Sequence, residues 1–230
     1  MSLKNQIFTR KSARKYMDDE IDENIIHDFI STVKPLKQGI NFKYDILSPD
    51  NFNIRTRWSA PYYLALYSEK QEYYLENIGF VFQQLSLYLQ SIGIGSCWVG
   101  MASPKVKNDD FVIAIAFGKS DNMTRERSSF KRKKLSDIAD FEDEKLIPAQ
   151  LAPSAINSQP WYFKHADGGF DVYQVKQNIL KRQVLKKWNP IDMGIALAHL
   201  YVSDPEGFEF YKKTDFENIK GYTYTGSIKI

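Results

Sequence analysis

Four short stretches hold residue types that can do chemistry. The first is "TRKSARK", where Arg10, Lys11, Ser12 and Arg14 gather guanidinium groups, an ammonium and a hydroxyl. Arginine forks and a hydroxyl just ahead of a helix can hold a phosphate by charge-assisted, bidentate bonds. The same residues also suit a solvated basic N-terminus. The second is "GIGSCWVG", Gly93 to Gly100. Its glycines let the backbone come close to a ligand, with N–H groups donating to a heteroatom. They equally suit a helix C-cap and a tight entry into the next element. The third is "APSAINSQPW", residues 152–161. Pro153 and Pro160 stiffen it, Ser154 and Ala155 keep it thin, and Asn157 and Gln159 supply amide donors and acceptors. Trp161 can anchor a following strand, although an ordinary helix-to-strand connection has the same look. The fourth is "RERSSFKRKKL", Arg125 to Leu135, with Phe130 its only aromatic. It reads as a solvated loop, since a nucleic-acid surface needs more interleaved aromatics and a wider basic face.

Other chemistry finds no support. His27, His165 and His199 are scattered without ligand spacing, so no metal site is expected. His199 sits in an apolar helical stretch and reads as a satisfied core or interface residue. Cys97 is the sole cysteine, which precludes an internal disulfide, and it reads as a packed thiol rather than a nucleophile. No nucleophile elbow, dinucleotide fingerprint or phosphate loop occurs. No feature pairs the carboxylates, and no catalytic side chain is nominated.

The elements that must position these stretches follow from periodicity. Residues 18–34 carry apolar residues at helical spacing after an acidic start, with Pro35 and Gly39 ending the helix. "NFKYDIL" alternates as a half-buried strand, and "APYYLALYS" and "FVIAIAFGK" read as buried strands. "YLENIGFVFQQLSLYLQSIG" is a long, largely apolar helix. Further on come a short helix "EDEKLIPAQL", a hairpin turning at Gly168 and Gly169, an apolar helix from Asn189, and strands "FEFYKK" and "YTYTGSIKI". "NIGFVFQQLSLY" and "DMGIALAHLYVS" align on Gly79 and Gly194, half the 230-residue length apart. With the agreeing order of elements, this suggests a diverged internal duplication of halves 1–138 and 139–230 sharing one core.

Composition sets the outer limits. With 43% hydrophobic and 26% charged residues, the chain can bury one large core or two small ones. A net charge of +3 does not by itself indicate a nucleic-acid partner. No apolar run approaches the ~18 residues of a membrane span, and the N-terminus lacks a secretory signature. The expectation is a cytoplasmic protein with no membrane or nucleic-acid partner.

Taken together, the motifs resemble the nitroreductase-like flavin family, specifically its single-chain, TM-nitroreductase-like branch. "RKSARKY" resembles the family's R-[RHK]-S-x-R phosphate motif, "APSAINSQPWYF" its A-P-S-x-x-N-x-Q-P-W-x-F loop, and "IGIGSCWVG" its G-L-G-[TS]-C-W-I-G turn. "IAIAFGK" followed by "RKKLSDI" resembles its closing strand. One departure stands out: the proline-serine loop, which ordinarily follows the first helix, lies here in the second half. The resemblance implies an α+β fold with an antiparallel-rich mixed sheet flanked by helices. It also implies a pseudo-dimer within one chain, monomeric or further assembled, with one FMN site built from both halves.

The resemblance further implies a set of cofactor-binding residues. FMN phosphate would lie on Arg10, Ser12 and Arg14, with help from Lys11 and from Arg132 or Lys133. Pro153, Ser154 and Ala155 would border the ring. Asn157 would bind the ribityl–phosphate end or brace the loop, with Gln159 beside it. The turn at Trp98, Val99 and Gly100 would bring backbone N–H groups toward the flavin. The implied activity is ping-pong transfer from NADH or NADPH to a nitroaromatic, quinone or similar acceptor. A flavin-binding protein with little turnover is the alternative.

Overall fold

The computed structural model describes residues 3–176 and 185–230. Its helices are α1 (Leu3–Ile7), α2 (Asn24–Thr32), α3 (Tyr74–Ser91), α4 (Ile147–Leu151) and α5 (Asn189–Ser203). The strands of the first half are β1 (Phe42–Leu47), β2 (Phe52–Ile54), β3 (Tyr62–Ser68), β4 (Ile94–Val99), β5 (Ala102–Pro104) and β6 (Phe111–Lys119). Those of the second are β7 (Trp161–Ala166), β8 (Gly169–Val175), β9 (Glu209–Tyr211) and β10 (Tyr222–Lys229). One sheet runs β1-β3-β6-β4 and another β7-β8-β10-β9, with β2-β5 a separate ribbon. Every strand ladder among the described residues is antiparallel. The fold is therefore the expected α+β class, with helices against antiparallel sheets. Both four-stranded sheets use one order: first, second, fourth, third strand of the sheet.

α3 and α5 lie against each other at the centre. Each is apolar nearly all round, and residues 77–87 and 191–200 are buried, as a helix must be when every face meets protein. Two glycines permit the close approach. A side chain at Gly79 would overlap the Ile191 carbonyl oxygen, and one at Gly194 would overlap the Glu76 carbonyl oxygen. The contacts are reciprocal: Gly79 to Gly194 and Glu76 to Ile191 span the same sequence distance. His199 lies within this seam, fully buried, as its apolar context predicts. Its Nδ1 is 2.9 Å from the Pro148 carbonyl oxygen, so Nδ1 carries the proton and donates. Nε2 then accepts from Gln83 Nε2 at 2.9 Å, and Gln83 Oε1 accepts from Trp98 Nε1 at 3.0 Å.

The structure corrects three readings. The helix expected over residues 18–34 is α2 and covers Asn24–Thr32 rather than starting near Asp18. Asp22 turns its Oδ1 onto the Asn24 backbone N–H at 3.0 Å, which starts the helix there and leaves Asp18, Asp19 and Glu20 outside it. The glycine stretch before Gly100 is a strand. Ile94 to Val99 pair with β6 from Lys119 to Ala114, and only Gly93, at φ +85°, serves as the break after α3. Gly95 makes room for Ala13 and Ser120 rather than for a ligand, because a Cβ there would lie 2.5 Å from Ala13 Cβ. The stretch Arg125 to Leu135 is a strap rather than a solvated loop. Arg125 stacks on Phe130, 3.7 Å from the ring centre, and its Nε donates to the Arg10 carbonyl at 3.1 Å. α1 and the β2-β5 ribbon carry no periodic pattern long enough to read in sequence.

Candidate functional site

The N-terminal basic segment is extended and laid across the first half. Arg10 bridges Thr124, Lys11 N donates to the Met123 carbonyl at 2.7 Å, and Ala13 N donates to the Ser96 carbonyl at 3.1 Å on β4. That clamp fixes the directions of the basic side chains. Arg10 is turned inward and is only 4% exposed, its Nη2 donating to Ser12 Oγ at 3.0 Å. Arg14 faces out. Burial first, then the positive charges of Arg132, Arg125 and Arg14, hold Arg10 down to about 9. Burial and Arg125 hold Arg132 down to about 10. Among the described residues none of these four guanidinium groups has a carboxylate ion-pair partner. The buried Arg132 Nε has no hydrogen-bond partner at all. Arg10, buried, and the half-buried Arg132, with no carboxylate in ion-pair reach among the described residues, can take an anionic ligand.

The loop 152–161 reaches the same place from the second half. It leaves α4 at Ala152 and holds three non-glycine residues at positive φ: Ile156 at +47°, Asn157 at +58° and Gln159 at +46°. Such a conformation persists only where its surroundings over-determine it. The bracing is explicit. Gln159 N donates to Ser154 Oγ at 2.9 Å, and Ala155 N lies 3.0 and 3.1 Å from the two oxygens of Asp192. Arg132 Nη1 donates to Asn157 Oδ1 at 2.6 Å, Asn157 Nδ2 donates to the Lys131 carbonyl at 2.8 Å, and Lys133 N donates to Gln159 Oε1 at 2.9 Å. The strap thus ties the basic segment to the loop. Trp161, fully buried, seats the start of β7.

Between these parts lies a cavity of about 310 Å³, at the small end of the range for ligand pockets. Ser12, Arg14, Trp98 and Gly100 from the first half line it, and Pro153, Ser154 and Ala155 face them from the second. Arg10, Arg132, Asn157 and Gln159 do not line it, but Arg10 meets Ser12, Gln159 N meets Ser154 and Arg132 meets Asn157. Val99 and Lys11 do not line the cavity. The Val99 side chain joins a separate core with Phe52, Tyr63 and Ala114, and Lys11 Nζ reaches Asn122. Lys133 Nζ donates to the Gln159 carbonyl at 2.9 Å. Cys97 borders the cavity, and burial pushes its thiol up, so it stays protonated as a packed thiol should. Seven lining residues escaped the sequence reading: Asp192, Trp188 and Ile156, with Met101, Ile113, Ile191 and Ile195. A carboxylate inside the otherwise apolar run "NPIDMGIALAHL" was the available signal for Asp192. The Trp188 indole lies over Gly100, so close that a Cβ on that glycine would be 2.7 Å from its Cε2. Ile156, 73% exposed, stands at the mouth.

Two antiparallel sheets around a central helix pair, with a basic segment and a proline-serine loop converging on one cavity, define a nitroreductase-like α+β protein. The family model described as "Putative TM nitroreductase" matches residues 2–204, and the chain belongs to that family. A solved "putative nitroreductase" from Thermotoga maritima superposes with a TM-score of 0.68 at 22% identity, over 99% of this chain and 92% of that one. An "FMN-dependent Nitroreductase" from Clostridium difficile R20291 matches at 16% identity and TM-score 0.44, covering 55% of this chain and 93% of that one. No curated protein matches the chain. Among the described residues no helix is long and apolar enough to cross a membrane, and no group of three or more metal-ligating side chains occurs.

Proposed function

We propose that the chain is an FMN-dependent oxidoreductase of nitroreductase type, drawing on NADH or NADPH and reducing a nitroaromatic, quinone or similar small acceptor. The observation that carries this reading is the meeting of Ser12 and Arg14 with Pro153, Ser154 and Ala155 on one cavity. The residues present fit the cofactor. Carboxylate-free guanidinium groups and the orphaned Arg132 Nε suit a phosphate dianion. A thin loop of small residues, Pro153 to Ala155, along the cavity suits a flat ring. Bound FMN would supply the two-electron redox chemistry, while the protein positions it and tunes it.

The chain's own residues do the rest. Arg10, Ser12 and Arg14, backed by Arg132, would hold the phosphate, with Lys11 and Lys133 adding positive charge nearby. Trp98, Gly100 and Pro153 to Ala155 would wall the ring. Asn157 and Gln159 keep the loop in its left-handed turn. Val99 anchors β4 through its core side chain. Trp188 limits access to Gly100 and so excludes water.

We read halves 1–138 and 139–230 as a diverged duplication that forms a pseudo-dimer with one FMN per chain. The shared strand order and the reciprocal glycine contacts of α3 and α5 support it. A cytoplasmic setting is part of the same proposal. A second reading, flavin binding with little turnover, draws on Trp188 lying over Gly100. The absorbance spectrum of the purified protein, followed by NADPH titration, tests both. A flavin spectrum that NADPH bleaches supports the oxidoreductase. A spectrum that NADPH leaves unchanged supports the second reading, and protein that refuses FMN rejects both.

A further inference from the structure

We infer that Asp192 is a neutral hydrogen-bond donor and the positioning residue of the cavity. One of its oxygens holds the loop, and the other offers a proton to a carbonyl oxygen or ring nitrogen of the planar ligand bound there. This rests on the FMN reading of the site. Asp192 is 3% exposed, lines the cavity, and touches the loop through a single group, the Ala155 N–H, shared between its two oxygens. An ionised carboxylate has about four lone-pair sites to satisfy, and one N–H leaves it badly under-satisfied. It also has no ion-pair partner among the described residues. Arg14 and Cys97 share the cavity with it, Glu76 sits on the adjoining α3, and Lys186 and Lys187 precede α5, but none is in ion-pair contact. A buried charge with so little compensation gives way to the neutral acid.

Burial accordingly pushes the Asp192 carboxyl well above the usual carboxylate range. The neutral acid uses one oxygen as acceptor for Ala155. Its O–H cannot donate to that N–H, so the proton is unspent within the protein and faces the cavity.

The test measures FMN affinity by quenching of flavin fluorescence across a pH series, with wild type, Asp192→Asn and Asp192→Ala. It adds the infrared carbonyl difference between ligand-free wild type and Asp192→Asn. The amide of Asp192→Asn can accept from Ala155 and still donate, so its affinity stays within about twofold of wild type at low pH and carries only the pH dependence of the phosphate and Arg10. Asp192→Ala binds about tenfold more weakly, the order expected for one lost hydrogen bond. Wild type follows Asp192→Asn at low pH and weakens as pH rises and the acid ionises. The ligand-free difference spectrum shows a protonated carboxylic acid. Equal weakness of Asp192→Asn and Asp192→Ala, or a wild type that tracks Asp192→Asn at every pH, overturns the inference and leaves the FMN reading standing. A wild type that takes up no flavin at any pH overturns the FMN reading, and the infrared band then decides separately whether Asp192 is a neutral acid.

Discussion

Gly194 on α5 lies directly against the carbonyl oxygen of Glu76 on α3, with no space for a side chain between them. Gly79 makes the matching contact with Ile191. The pair sets how closely the two central helices approach, and with it the distance between the basic segment and the loop that flank the cavity. Alanine at Gly194 gains helix propensity but must push backbone from backbone. Gly194→Ala is expected to lose about 1–3 kcal/mol of stability, read as a lower urea midpoint at unchanged slope. Gly79→Ala should lose a similar amount, and wild-type midpoints for both would show that the helices can part freely.

Two groups, the buried His199 and the half-buried Glu76, give opposite pH dependences. Burial, and then the charge of Arg10, hold His199 down to about 3. The unfolded chain binds a proton that the folded chain refuses, so this stability is complete above about pH 6.5 and drains as pH falls toward 3. Burial pushes Glu76 up to about 7. There the folded chain keeps a proton the unfolded chain has released, so stability falls as pH rises from about 4.5 to 7. In wild type the two act against each other, with the raised Asp192 carboxyl adding to the Glu76 slope. Relative to wild type, Glu76→Gln should lose more stability on acidification, on the order of 1–2 kcal/mol by about pH 5. His199→Gln should expose the opposite slope. Urea titrations at a series of pH values check both, and parallel curves for all three proteins would refute the assignment.

Arg10 is a buried cation with a hydroxyl for company and no carboxylate. Replacing such a charge with an apolar side chain of similar length often costs nothing in the ligand-free fold. Arg10→Met is therefore expected to melt no lower than wild type without ligand, yet to gain less than half as much from FMN. A hundredfold excess over Kd adds about 2.7 kcal/mol to a one-site protein, so the difference is readable in a melting curve. Equal gains would remove Arg10 from the site.

Trp188 caps Gly100 at the cavity. Trp188→Ala should raise kcat/KM for bulky acceptors severalfold over small ones while changing FMN affinity little. Steady-state kinetics with a graded acceptor series, scored as the ratio to the smallest member, measures it. An unchanged ratio means Trp188 does not limit access.

The loop "APSAINSQPW" and the basic segment were legible as residue types because prolines, amides and arginines advertise themselves locally. The strap was not. Arg132 and Phe130 look like a solvated run until Asn157 and Arg125 are seen to engage them. β4 is hidden in the sequence for a similar reason, since its glycine-rich stretch carries weak strand propensity and the β6 ladder overrides it. Asp192 was hidden as one carboxylate among many, because burial and an N–H partner from another element are not written beside it.

The amino-acid sequence by itself determined the central helices, most strands, the α+β class and the two chemical stretches, because periodicity and turn chemistry act over a few residues. Only the tertiary structure decided that Arg10 faces inward and Arg14 outward, that Asp192 holds Ala155, and that Trp188 covers Gly100. Each of those depends on contacts between segments far apart in the chain, where packing and exclusion of water, rather than local preference, fix the outcome.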